Sequence, residues 1–131
     1  MEHAIIYAAN TLNRTVAAGD RIDFGTVVRR FGKDITLSGG NPETNASGYY
    51  KVDATFTITE STDATATITL YDNGTAIPGA FASATTVTGR IANMSISTVV
   101  RQKCCMNHTI TAVLTGTGVE VNKSAIVVEK I

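Results

Sequence analysis

The stretch Gly48–Thr59, GYYKVDATFTIT, constrains the fold more than any other segment of the chain. Tyr50, Val52, Ala54, Phe56 and Ile58 are apolar, and the residues between them, from Lys51 to Thr59, are polar. A period of two places one side of a β-strand in a core and the other side outward. Tyr49 breaks the pattern, because it is a large aromatic on the outward side. Something must cover it, and what covers it bears on function.

The rest of the chain follows the same grammar. β-Branched residues crowd it, with about twenty threonines, and no helical periodicity is visible. Turn signals recur in AAGD, SGGNPETNASG, ESTDA, YDNGTAIPG and TGTG. The segments between them are of strand length. They fall at 4–9, 14–17, 26–31, 34–38, 48–59, 64–71, 80–88, 92–101, 108–115 and 124–130, with a short extra piece near 119–121. About ten short strands joined by Gly-rich turns predict an all-β sandwich or barrel. Its 131 residues form one domain, 1–131, long enough to bury a core without staples.

Some strands alternate cleanly, such as Ala64, Ala66, Ile68 and Leu70 with threonines opposite. Others, AIIYAA, GTVVRRF, TITAVLT and SAIVVEKI, are apolar on both sides. If these share one sheet, its outward side carries a contiguous apolar patch, and such patches mark interfaces. A two-sided apolar sheet serves a dimer as well as a trimer.

Charge and cysteine usage exclude several functions. Formal net charge is zero, charged residues make up 17%, and the arginines are scattered without interleaved aromatics. Nucleic-acid binders show a basic stripe, which is missing here. The opening MEHAIIYAAN has an acid where a signal peptide needs a base, and no apolar run is long enough to span a membrane. The chain is therefore expected to be made in the cytoplasm without a leader.

Candidate chemistry is sparse. Cys104, Cys105 and His108 are soft metal-ligand types close together, yet adjacent cysteines do not readily chelate one ion, and a structural zinc site needs four ligands. A strand end with partly buried thiols is the better reading, and no cofactor is expected. The carboxylates sit in turns or on wet faces, and no nucleophile motif is present, so no enzymatic activity is expected. Asp53 beside Lys51 reads as a surface ion pair. DNG at 72–74, like Asp20–Asp23, offers calcium-type oxygens but is more often a turn. Six asparagines stand in N-x-S/T positions, which a Thr-rich β protein reaches by coincidence.

GYYKVDATFTIT, ATATITLYDNGTAIPG and the closing GVEVNKSAIVVEKI together resemble the tumour-necrosis-factor and complement-globular-head superfamily. The features are a Gly–aromatic–aromatic opening a long central strand, an Asn-Gly turn after the next, and a last strand at the C-terminus. The likeness covers the whole chain in strand order. It is strongest to the bacterial and bacteriophage branch of exosporium heads and small phage structural proteins. It implies a two-sheet antiparallel jelly-roll sandwich, assembled as a homotrimer whose inner sheet holds the first and last strands. Tyr7, Tyr49, Val113 and Val127 are then the expected trimer contacts. The stalked members carry a Gly-X-Y stalk that this chain lacks, which favours a free-standing virion component such as a head-fibre, decoration or tail-associated domain. The alternative is a receptor- or glycan-binding head at a bacterial or spore surface. Expected partners are further copies of the chain, with capsid or tail proteins or a host surface ligand. The presenting loops are expected at 38–47, 60–63 and 72–79, with Asn41, Asn45, Asp72 and Asn73 as ligand candidates.

Overall fold

The computed structural model describes residues 3–59, 63–103, 106–116 and 119–131. Eleven strands follow in order: β1 Ile5–Asn10, β2 Arg14–Val16, β3 Thr26–Phe31, β4 Ile35–Ser38, β5 Asn41–Thr44, β6 Gly48–Thr59, β7 Ala64–Asp72, β8 Thr75–Thr86, β9 Ile91–Gln102, β10 His108–Gly116 and β11 Val119–Lys130. They form two antiparallel sheets. One runs β3-β1-β11-β6-β9, with β2 also on β11, and the other runs β4-β5-β10-β7-β8. The first and last strands lie side by side in the first sheet, as the jelly-roll expectation requires.

Alternation decides which side chains fill the space between the sheets. From β6 come Tyr50, Val52, Ala54, Phe56 and Ile58, and from β7 and β10 come Ile68, Leu70, Ile110 and Leu114, all buried. Phe24, from the segment before β3, packs on Phe56 with ring centroids 5.7 Å apart and planes tilted by 45°. Such a tilted aromatic pair adds to the burial of both rings.

Polar groups close one end of this core. The hydroxyl of fully buried Tyr50 donates to the Ala46 carbonyl at 2.6 Å. Nearby, Lys130 Nζ meets Asp34 Oδ2 at 2.8 Å, both side chains largely buried. Burial raises the Tyr50 phenol pKa above its ordinary value, and Asp34 pushes the same way, against the Lys130 charge and the hydrogen bond to Ala46. At the other end Arg14 donates to the Leu12 and Asp23 carbonyls and to Ser124 Oγ, and burial lowers its pKa against the opposing pull of Asp23.

Two segments expected as loops are strands. Asn41–Thr44 carries Asn and Pro, which read as turn chemistry, yet it pairs with β4 after a tight turn at Gly39 and Gly40. Pro42 donates no hydrogen bond, but the pairing of neighbouring residues carries the short strand past it. The turn after β7 shrinks to Asn73 and Gly74, with φ of 52° and 88°, the left-handed pair of a type I′ hairpin. β8 therefore starts at Thr75 rather than near residue 80, and Pro78–Gly79 sit where the β7–β8 register shifts, on an edge strand. The piece near 119–121 is continuous with the last strand, and a register shift between Val121 and Lys123 separates the two halves.

Candidate functional site

The outward side of the β3-β1-β11-β6-β9 sheet is built by register. Tyr7 pairs with Arg29 on β3 and Val127 on β11, and Val127 pairs with Asp53 on β6. In the next row Ile5 lies between Phe31 and Glu129. At the same end Tyr49 pairs with Arg101, and its carbonyl accepts the Ile131 N–H at 2.9 Å. Phe31 is 65% exposed, Tyr49 52% and Tyr7 37%. Toward the opposite end of this side Thr55, Thr57, Asn93 and Ser95 are in register, with exposed Ile91 opposite Thr59 beyond them. Exposed aromatic side chains thus gather toward one end of one sheet, with Arg29, Asp53 and Glu129 in register among them. Lys51 stands 3.9 Å from Asp53, which also accepts from the Ser97 hydroxyl.

Three of the four residues expected at a subunit contact, Tyr7, Tyr49 and Val127, share this side. Val113 does not, and this corrects the sequence expectation. β10 lies in the other sheet, where Val113 pairs with Thr69 and forms a bridge with Arg21. Ile110, Ala112 and Leu114 of TITAVLT face the core, and Val113 is the one apolar side chain on the strand's other side, among Thr109, Thr111 and Thr115.

The loop candidates separate into two groups. Asn41 is only 6% exposed; its Nδ2 donates to the Gly39 carbonyl at 3.3 Å and its Oδ1 is buried without a partner. Asn45 uses its amide to hold the Lys33 carbonyl and Thr36. Both asparagines brace the β4–β5 hairpin. Residues 60–62 of the second expected loop lie outside the described residues, as do Cys104 and Cys105 of the metal candidate.

Asp72 and Asn73 come together with His108. The His108 ring Nδ1 and Asp72 Oδ1 stand 2.8 Å apart, both side chains about four-fifths buried. The pairing of β10 with β7 ends at this point, with Ile110 opposite Asp72 and the Asn73 N–H donating to the Thr109 carbonyl at 2.9 Å. Gln102, buried at the end of β9, accepts from the Thr44 hydroxyl and donates Nε2 to the Met106 carbonyl at 2.7 Å, which holds the approach to His108. Asp72, Asn73, Met106 and His108, with Thr75–Pro78 and Val99–Arg101, line an open cavity of about 450 Å³ where β8 and β9 adjoin. Arg101 stands over the Tyr49 ring, 5.7 Å from its centroid. Among the described residues, no group of three or more His, Cys, Asp or Glu side chains is arranged to hold a metal ion.

Sequence reasoning marked Asp72, Asn73 and His108 separately. It placed Ile77 and Pro78 in the same 72–79 loop but missed Arg101 and Val99 as neighbours, because only the adjacency of β8 and β9 brings them there.

No protein-family model and no curated protein matches the chain. Solved structures do. Murine APRIL superposes with a TM-score of 0.75 at 9% identity, over 99% of this chain and 100% of that one. Eiger TNF from S. frugiperda gives 0.67 at 14% identity, over 98% and 91%. PRD1 vertex protein P5 gives 0.66 at 15% identity, over 98% and 96%. At these identities the likeness is one of fold: two antiparallel sheets in the tumour-necrosis-factor-like jelly roll.

Proposed function

We propose that the chain is a non-enzymatic structural or interaction protein that assembles as a homotrimer. Its place is on a virion, as a head-fibre, decoration or tail-associated domain. The observation that carries this reading is the aromatic end of the first sheet, where Phe31, Tyr7 and Tyr49 stand exposed around Val127. Monomers rarely leave such a cluster in water. A twofold dimer needs one self-complementary patch, whereas a closed ring needs two different surfaces. A second apolar set fits the ring: Phe81 on edge strand β8 is 58% exposed and Val87 beyond it 50%. The fold shared with PRD1 vertex protein P5 supports the virion assignment.

The mechanism is geometric. Three copies around an axis present the same outer turns, so weak individual contacts add by multivalency. Val127→Arg tests the assembly, because it puts a charge at the centre of the patch while leaving the core side of β11 untouched. The variant should fold as a monomer; a trimer that persists in V127R would sink the reading. Recovery of the chain in purified particles from its source tests the virion assignment. A second reading, a receptor- or glycan-binding head at a bacterial surface, is favoured by the cavity around His108 and Arg101.

A further inference from the structure

We propose that this cavity is a binding site for a hydroxylated carboxylate, of which a single acidic sugar residue is the natural size. The inference deepens the second reading above and rests on it. One chain supplies every described lining residue, but Arg101 and Val99 share the outward side of the first sheet with Tyr49, so the mass of the particle is measured for each variant to report on the trimer separately.

The space, about 450 Å³, lies in the range of small-ligand sites. Its polar groups differ in kind. Arg101 has no carboxylate partner among the described residues, and its guanidinium carbon stands 5.7 Å from the centroid of the Tyr49 ring. A guanidinium offers parallel N–H donors that match the two oxygens of a carboxylate. Asp72 spends Oδ1 on His108, so Oδ2 remains to accept from a hydroxyl. The same pairing fixes the His108 ring and leaves Nε2 for a second hydroxyl. Among the described residues Asn73 engages the Met106 sulfur through Nδ2, at 3.6 Å, and its amide oxygen accepts no hydrogen bond from them.

The remaining walls are aliphatic, from Ile77, Pro78 and Val99. They suit the C–H face of a pyranose ring. Among the described residues no aromatic ring lines the cavity, so an uncharged sugar lacks the stacking platform it would need. Arg101 therefore selects for the acid, and the Asp72–His108 pair selects against a bare anion by offering an acceptor that only a hydroxyl can use.

The test is a titration of the full chain followed by amide proton–nitrogen correlation spectra, with glucuronate, glucose and acetate as probes. Glucuronate should shift Asn73, Thr75, Arg101 and Met106 saturably, and glucose and acetate should each bind about tenfold or more weakly. Arg101→Gln should bring glucuronate down to the level of glucose while the rest of the spectrum stays in place. Arg101→Lys keeps the charge without the fork and should fall between. The proposal is overturned if glucuronate gives no saturable shift at these positions. An equal response to acetate would mean an adventitious anion only. Unchanged binding in both Arg101 variants would equally sink it.

Discussion

Tyr50→Phe isolates the one phenol that the fold buries completely. The ring fills the core near the start of β6, and its hydroxyl donates to the Ala46 carbonyl at 2.6 Å. Phenylalanine keeps the ring and its packing, and leaves that carbonyl without its donor. Removing one partner of a buried hydrogen bond costs about 1–3 kcal/mol, so Y50F should lose that much at neutral pH. The pH dependence gives a second, independent check. Burial raises the phenol pKa in the folded chain, so the unfolded chain, with a phenol near pH 10, ionises first. Stability from the neutral phenol is thus complete below about pH 10 and falls as pH rises toward the folded value. Y50F has no such group, so its deficit should shrink as pH passes about 10. Urea unfolding of both proteins at equal concentration, at neutral pH and across the alkaline range, measures this. A deficit under about 0.5 kcal/mol at neutral pH, or one that widens in alkali, would refute the reasoning.

Other substitutions probe other parts of the structure. Lys130→Met leaves the Asp34 carboxylate largely buried without its countercharge and should cost about 3 kcal/mol by urea unfolding. Adding Asp34→Asn should recover part of that loss, and a double variant as unstable as K130M would contradict the pairing. Gly25 and Gly39 both have positive φ, 77° and 57°, but a Cβ on Gly25 would stand 2.5 Å from the Ala9 carbonyl oxygen, while one on Gly39 meets nothing within 4 Å. Gly39→Ala should cost about 1–2 kcal/mol from backbone strain alone, and Gly25→Ala clearly more in the same melt. Equal losses would mean that the close approach to β1 is not what selects glycine at residue 25.

Much of this architecture was legible as alternation. Gly48–Thr59 and Thr26–Phe31 read as strands with the bounds the structure gives them, because the period of two leaves no other arrangement for Tyr50 to Ile58. Alternation reports faces and says nothing of neighbours, which is why Val113 was grouped with Tyr7 and Val127 although β10 belongs to the other sheet. Pro42 and the Pro78–Gly79 pair misled for a different reason. Turn residues are read locally; the pairing of its neighbours carries β5 past Pro42, and a register shift on edge strand β8 accommodates Pro78–Gly79. The cavity was the least visible feature. Asp72 and Asn73 read as a turn and His108 as a metal-ligand type, and only the pairing of β7 with β10 and the adjacency of β8 and β9 place them beside Arg101.

The central claim is that the exposed end of the first sheet is covered by further copies of the chain. The most direct measurement is the mass of the particle in solution by size-exclusion chromatography with light scattering, with and without reductant. Three times the 13.8 kDa of one chain, in both conditions, is the predicted result. A single-chain mass across the accessible concentration range would contradict it, because Phe31, Tyr7 and Tyr49 would then stand in water with nothing to cover them.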